Sequence, residues 1–589
     1  MGLNLSKYNT LNIEVDFALD DQQEYFKGQI PNILLIKIFN LILNELYHQS
    51  FSVFQKRIDS FLCKTVLLDK NIKENVMIKM KTNNNFEIPK YKPEYRIKWF
   101  FRVHKYIEFQ NFTIYYKIVS FDHPLVCKFR DYLQSSKKTI ILESIKVKEH
   151  PKDKLLSLFK DFKIELNTLS LINNGNEFEC VHKDIDFKLN IKNLSVSSKY
   201  QWYWEYFIPE SLKKLKINDY SNLNDPRFVI GLDSFRSLTN LTISVNTFGL
   251  PMELCNVINL NVSLESFKYT VYSIGLLDFT EFLTSIQDHP SLKSLSLSLN
   301  GCTFKSFTPF AIYLNNNKIL ETLIMTHRNI NPMDEMDKDL PILNSTLRYL
   351  EINCEVLDIV NRWQSVNTSL TELNCIQTDY DPKILWNHVP NQFPNLTTLS
   401  LFNLKIKDDL IQSFINSELQ SFKKLKYLYI QCASIETSKI LFNRILSINL
   451  VELAVNDQFL SSRSVVVLFE SNHPTIKKVN LSHVEWSDNL SNSIVNNQTI
   501  ENLNIVPTKP SPINQFNFLS NLLRNNKTIH HLDIPFDFPK NETSQFPLFL
   551  RNLQRNQTLF SFFVYSQNSV PEKFQSQFTS ILNQKLFHK

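Results

Sequence analysis

The chain has 589 residues, 43% of them apolar and 21% charged, a balance that fits a folded protein and excludes a disordered one. A formal net charge of +6 is small for this length and points to neither nucleic acid nor a membrane surface. With 7 glycines against 46 phenylalanines, glycine-rich phosphate loops and two-residue hairpins are not expected. Residues 1–29 are polar and without period, an N-terminal extension. Its opening, Met1-Gly2-Leu3-Asn4-Leu5-Ser6, meets the minimal N-myristoylation pattern. It has no basic stretch leading into a long apolar core, so no secretory signal is expected.

Residues 30–81 read as a helical module. In Ile30-Pro31-Asn32-Ile33-Leu34-Leu35-Ile36-Lys37-Ile38-Phe39-Asn40-Leu41-Ile42, proline suits a first helical turn. Leu34, Leu35, Ile38 and Ile42 then share one helical face. The run is too short to span a bilayer and contains Lys37, so stable membrane insertion is not expected. It resembles the opening of an F-box, Leu-Pro-x-Glu-Leu-Leu-x-x-Ile-Phe-x-x-Leu, at Pro31, Leu34, Leu35, Ile38 and Phe39. Ile30 stands for leucine and Ile33 for the acidic residue, and Ser52 to Lys70 lacks the family's Val-Cys-Lys-x-Trp element. The resemblance implies that those five residues bind a Skp-type adaptor and make the chain a substrate receptor of a cullin-RING ubiquitin ligase. Read without it, the same run is an amphipathic helix capping whatever follows.

Residues 82–141 read as a linker followed by divergent strands. The linker is expected at Lys81-Thr82-Asn83-Asn84-Asn85, supported by Pro89 and Pro93. Strands are expected over 94–120, where Trp99, Phe100, Phe101, Phe112, Ile114, Tyr115 and Tyr116 gather.

From 142 to 565 one spelling recurs. In Leu292-Lys293-Ser294-Leu295-Ser296-Leu297, an anchor is followed by apolar residues three and five positions on. The same phase starts at Leu212, Leu238, Leu264, Leu292, Leu320, Leu347, Leu370, Leu396, Leu425, Leu450, Ile476, Ile500, Ile529 and Leu559. Three weaker copies precede them, Leu142/Ile145/Val147, Leu166/Leu169/Leu171 and Ile191/Leu194/Val196, giving about 17 units of roughly 27 residues. This spelling resembles the leucine-rich repeat, of the intracellular type with helical returns. It implies an α/β solenoid with a parallel concave sheet.

Each unit cannot bury its own apolar face and must stack on the next. Helical returns are expected at Phe282, Leu283 and Ile286, and at Phe518, Leu519, Leu522 and Leu523. An Asn-x-Ser/Thr triplet recurs three residues before the anchor, at Asn497, Asn526 and Asn556 among others. Fixed phase makes this a structural position rather than a glycan site, and asparagine tolerates the left-handed conformation that ends a helix. His289 and His473 stand in the same slot. An asparagine eight residues after the anchor occurs at Asn174, Asn246 and Asn300. After Tyr565, the stripe Phe574, Phe578, Leu582 and Leu586 reads as a capping helix over 566–589.

Chemistry is sparse. No Gly-Lys dipeptide, GxGxxG, GxSxG or His-Glu-x-x-His occurs, so neither enzymatic activity nor a cofactor is expected. The 8 cysteines include no CxxC pair; they are expected to fill core slots in a reducing cytoplasmic or nuclear setting. His530-His531 alternate in direction along a strand, one outward and one packed, so a shared metal is not expected. What remains is a binding platform on the concave face. Reading two, four and six residues past each anchor gives Lys214, Lys216 and Lys268 early, then Tyr349, Glu351, Glu372, Phe402, Tyr427, Tyr429 and Glu452. Aromatics beside carboxylates suit a protein partner. The sequence therefore reads as a protein-interaction solenoid, either a ligase receptor or a non-enzymatic scaffold with no ubiquitin link.

Overall fold

A computed structural model describes residues 80–88, 97, 100–101, 107–114, 128, 140–148, 164–172, 190–197, 209–220, 235–245, 252–272, 275–277, 280–300, 302–304, 308–328, 340–353, 360, 362–378, 388–404, 408–432, 434–457, 459–508, 512–534, 546–559, 561–563, 574, 577–578 and 581. The F-box-like run with Pro31, Leu34, Leu35, Ile38 and Phe39 lies outside them, as do Asn174 and Asn246. The chain divides into two units, Met1–Thr247 with Asn256–Leu264, and Phe248–Cys255 with Glu265–Lys589. Each is a leucine-rich repeat stack of parallel strands.

The first unit carries β1 (Met80–Ile88), β2 (Ile107–Ile114), β3 (Ile140–Lys148), β4 (Ile164–Ile172), β5 (Ile191–Ser197), β6 (Lys214–Tyr220) and β7 (Asn240–Val245). Consecutive strands pair in parallel throughout. Register follows the spelling: Leu142, Ile145 and Val147 oppose Leu166, Leu169 and Leu171, which oppose Ile191, Leu194 and Val196. Two expectations fail here. The Asn-rich run at 81–85 is not a linker but part of β1, where the register slips between Thr82 and Asn85. A bulge absorbs the asparagines while pairing with β2 keeps the strand. Ile97, Phe100 and Phe101 are helical rather than extended, with Ile97 and Phe100 buried. Parallel neighbours need a crossover, and residues three apart share a helix face.

The second unit continues the pattern with β8 (Ser266–Val271), β9 (Gly275–Leu277), β10 (Ser294–Asn300), β11 (Cys302–Phe304), β12 (Thr322–Arg328), β13 (Tyr349–Asn353), β14 (Glu372–Thr378), β15 (Thr398–Leu404), β16 (Tyr427–Cys432), β17 (Glu452–Asp457), β18 (Lys478–Val484), β19 (Asn502–Pro507), β20 (His531–Asp533) and β21 (Ser561–Phe563). Apart from β9 and β11, which pair with each other, successive strands form one parallel ladder. Every anchor from Leu212 to Leu559 is at most 3% exposed, so the anchors form a continuous apolar column within each unit. Burying each such side chain contributes on the order of 1.5–3 kcal/mol before chain entropy is counted.

The returns absorb differences in unit length. Helices Thr280–Ile286, Thr308–Asn316, Ile435–Ile445, Ser462–Glu470, Asp488–Asn496, Pro512–Asn525 and Phe546–Arg555 bury one face each. In the long unit after Leu396, helix Asp408–Ser413 loosens into a π turn, Phe414–Glu418. In the short unit after Leu347, Trp363 is fully buried, donates to the Asn344 carbonyl at 3.0 Å and meets Phe393 edge-on at 5.4 Å. At the C-terminal end, Phe574, Phe578 and Ile581 are helical. Phe578 and Ile581 are buried, and Phe574 stacks on Phe546 at 4.8 Å.

The corner asparagines work differently from the expectation. Asn317, Asn344, Asn367, Asn497, Asn526 and Asn556 all avoid positive φ; among described non-glycine residues only Asn472 and His483 adopt it. Their side chains hold the corner instead. The Asn497 Oδ1 accepts from Thr499 N at 3.0 Å and Ile500 N at 2.9 Å, and its Nδ2 donates to the Phe469 carbonyl at 2.8 Å. The Asn526 Nδ2 reaches three carbonyls, Ile494, Val495 and Asn497, at 3.3, 3.2 and 2.9 Å. The triplet's hydroxyl ties the corner to the preceding unit as well. Thr346 donates to the Leu320 carbonyl and Thr528 to the Asn497 carbonyl, both at 3.1 Å.

His473 reproduces this arrangement. Its Nδ1 accepts from Thr475 N at 3.4 Å and the ring bonds the Leu446 backbone. That pattern needs a neutral ring with a proton on Nε2 only. His289 likewise accepts from Ser291 N at 3.3 Å.

The corners can be tested in two ways. Asn497→Ala removes four hydrogen bonds at a site 2% exposed and should cost about 2–4 kcal/mol. A lower urea midpoint and faster hydrogen exchange at Thr499 and Ile500 would register it; unchanged exchange would refute the role. Burial lowers the His473 pKa below its ordinary 6.5, against the opposing Leu446 bond. A lowered histidine pKa contributes stability that is complete above about 6.5 and is lost as pH falls below that value. His473→Asn should therefore show a smaller fall in Tm between pH 7.5 and 5.5 than the wild type.

Candidate functional site

The second unit's sheet turns two rows of side chains to solvent, set by strand alternation. Residues two past each anchor align as Tyr349, Glu372, Thr398, Tyr427, Glu452, Lys478, Asn502 and His531. Residues four past align as Glu351, Asn374, Ser400, Tyr429, Ala454, Asn480, Asn504 and Asp533. Neighbours within a row are about 4.8 Å apart. The register is held at the corner by a shared acceptor: the Arg348 carbonyl takes both Thr371 N and Glu372 N, and the Thr397 carbonyl both Lys426 N and Tyr427 N.

Tyr349, Glu351, Glu372, Tyr427 and Tyr429 all stand on this face, half-buried. Phe402 lies on β15 opposite Ile376, and its side chain is outside the described residues. Glu452 differs from its expected openness: it is 7% exposed and fully engaged. It forms an ion pair with Lys478 at 2.9 Å and accepts from Asn480 at 3.2 Å and from Tyr429. The Tyr349 hydroxyl donates to Glu351 at 2.5 Å and accepts from Asn374 at 2.8 Å. Sequence reading passed over Asn374, Asn480 and Lys478. They sit at the same outward positions, and the signal that could have found them is their place beside a carboxylate or phenol on the next strand.

These contacts shift both phenols. Burial first, then the hydrogen bond and charge of Glu351, push Tyr349 up to about 12; Asn374 opposes, and Glu372 adds. For Tyr429, burial again leads, followed by the charge and hydrogen bond of Glu452 and the charges of Tyr427 and Glu372, again to about 12. Glu372 thus acts on tyrosines on both sides of it.

Elsewhere Lys214, Lys216 and Lys268 are exposed. His531 is exposed and His530 half-buried, so neither packs into the core as expected for one of them; the short β20 buries Leu532 alone between its two ends. Farther along, Asn502, Asn504 and Asp533 each keep a buried Oδ1 without a hydrogen-bond partner among the described residues. Cys255 and Cys375 are buried. Among the described residues no group of three His, Cys, Asp or Glu side chains is placed to hold a metal, and no helix is long and apolar enough to cross a membrane.

No family model matches the chain, and no curated protein matches it. Among solved structures it is similar to the crystal structure of a Rad7 and Elc1 complex in yeast, at 13% identity and a TM-score of 0.32. That match covers 55% of this chain and 77% of the other. A likeness at that score carries no argument about binding.

The raised phenols give a direct check. A tyrosine whose folded pKa exceeds its ordinary 10.0 contributes stability below that value and loses it as pH rises from 10 through about 12. Glu452→Gln should bring Tyr429 back toward 10. Tyrosinate absorbance, taken as the difference from Tyr429→Phe in each background, should then rise at lower pH; an unmoved curve would dismiss the coupling.

Proposed function

We propose that the chain is a protein-interaction solenoid and that the face around Tyr349, Tyr427 and Tyr429 holds its partner. One observation carries the reading. Three tyrosines and the carboxylates Glu351, Glu372 and Glu452 fall on four of the five neighbouring strands β13 to β17, in two aligned rows. Half-buried tyrosines on a rigid sheet offer large contact area at low entropic cost, as binding hot spots do. Among the described residues, the other outward positions of β14 to β20 are mostly serine, threonine, asparagine and scattered charge.

The finer reading is that of a substrate receptor. Residues Pro31, Leu34, Leu35, Ile38 and Phe39 resemble an F-box, which would recruit a Skp-type adaptor while the repeats hold the protein to be modified. A reducing cytoplasmic or nuclear setting suits it. A scaffold with the same partner face and no adaptor is the alternative.

Affinity capture with proximity cross-linking separates them. Tyr427→Ala with Tyr429→Ala should abolish the partner cross-linked to this face while Tm stays within a few degrees of wild type; an unchanged partner rejects the face. Pro31→Ala/Leu34→Asp/Ile38→Asp should lose a Skp-type adaptor and cullin recovered by the wild type. Recovery by neither protein leaves the scaffold reading.

A further inference from the structure

The two aromatic ridges on this face enclose a slot, and its floor has a charge to give. β13 carries Tyr349 and β16 carries Tyr427 and Tyr429; they stand three strand spacings apart, about 14 Å. Between them β14 and β15 present Glu372, Asn374, Thr398 and Ser400, all shorter than the tyrosines. The walls are held differently. Tyr349 is tied to Glu351 on its own strand and reaches Asn374 on β14, while Tyr429 leans away from the gap to Glu452.

The three carboxylates are not equivalent. Glu351 already accepts from Tyr349, and Glu452 is consumed by Lys478, Asn480 and Tyr429. The Glu372 carboxylate has no hydrogen bond or ion pair among the described residues, although it stands beside two phenols whose ionisation it opposes. Arg348, one residue before β13, is directed to Glu321 at 3.8 Å.

We infer that the slot takes an arginine side chain from the partner protein, with Glu372 as its counter-ion and the tyrosine rings as its walls. An unpaired carboxylate calls for a cation. The slot's acceptors, the Glu372 carboxylate with the Thr398 and Ser400 hydroxyls beside it, suit the forked N–H donors of a planar guanidinium better than the compact ammonium of lysine. Aromatic walls add cation–π attraction, to which guanidinium is suited. The chain's own charge of +6 makes this a local field, opposite in sign to the molecule as a whole. The inference rests on the partner-binding reading of this face and adds the chemistry the partner must bring.

The probe is a fluorescein-labelled alternating arginine–serine octapeptide, with lysine and citrulline versions, titrated by anisotropy against the full chain. The arginine peptide should bind wild type, the lysine peptide less, and the citrulline peptide not at all. Glu372→Gln should weaken arginine binding by about tenfold. Ser400→Trp, which fills the slot without changing charge, should do the same, and circular dichroism should show both variants folded. Glu501→Gln, removing a carboxylate paired with Lys477 at 3.3 Å, serves as the control and should bind as wild type. Equal binding by Glu372→Gln, or by the citrulline peptide, overturns the inference. If Glu372→Gln leaves the captured partner unaffected while Tyr427→Ala/Tyr429→Ala loses it, the arginine falls and partner binding stands. Loss of peptide binding in Glu372→Gln with no effect of the tyrosine pair on the partner supports the slot and rejects the wider face.

Discussion

In six repeats of the second unit one corner carboxamide holds the strand in phase. At Asn317, Asn344, Asn367, Asn497, Asn526 and Asn556 the side chain accepts the two backbone N–H groups that open its own strand and donates to a carbonyl of the unit before. Asn344 does both at once, bonding Thr346 N and Leu347 N on one side and the Leu314 and Asn317 carbonyls on the other. These backbone groups are buried and would cost more unpaired than paired bonds contribute. The carboxamide is small, carries a donor and an acceptor on one plane, and needs no charge. A neutral histidine matches that description, which is why His289 and His473 can occupy the slot and why protonation is the specific threat to it.

Because a carbonyl shared by two backbone N–H groups fixes where each strand begins, with or without a corner asparagine, the solvent face inherits that regularity. Rows of side chains stand in parallel register over strand after strand, so the identity of each outward residue is read into a fixed place. The face becomes distinctive only where the rows contain tyrosine and glutamate. There, hydrogen bonds run across strands rather than along them: Asn374 to Tyr349, Asn480 and Tyr429 to Glu452. This internal pairing divides the three carboxylates into two already engaged and one that is not. Glu372 is left between the two ridges without a hydrogen bond or ion pair among the described residues.

Much of this was legible in the chain. Fourteen anchors are buried, as are the partners three and five residues on of the thirteen from Leu212 to Ile529, and the weak early copies pair residue for residue. Outward positions followed from the same count. The failures are instructive in physical terms. Asn83 to Asn85 look like a linker because asparagine disfavours strands, yet pairing with β2 overrides that local preference. Ile97 and Phe100 look like strand residues by type, but the crossover between two parallel strands demands a helix there. The corner asparagines were read for their backbone tolerance when their side chains carry the function, because hydrogen bonds to another repeat leave no local trace. Glu452 seemed open for the same reason: Lys478 and Asn480 lie on the next strand, far along the chain.

What the sequence alone determined is whatever repeats: the period, the inward and outward faces, the positions of the corners, and hence the solenoid. Those depend on alternation and spacing, which are properties of neighbours along the chain. What only the tertiary structure decided is which outward groups spend their charge and hydrogen bonds on one another. That depends on side chains roughly one repeat apart meeting across strands, and it is there that Glu452 is closed and Glu372 left open.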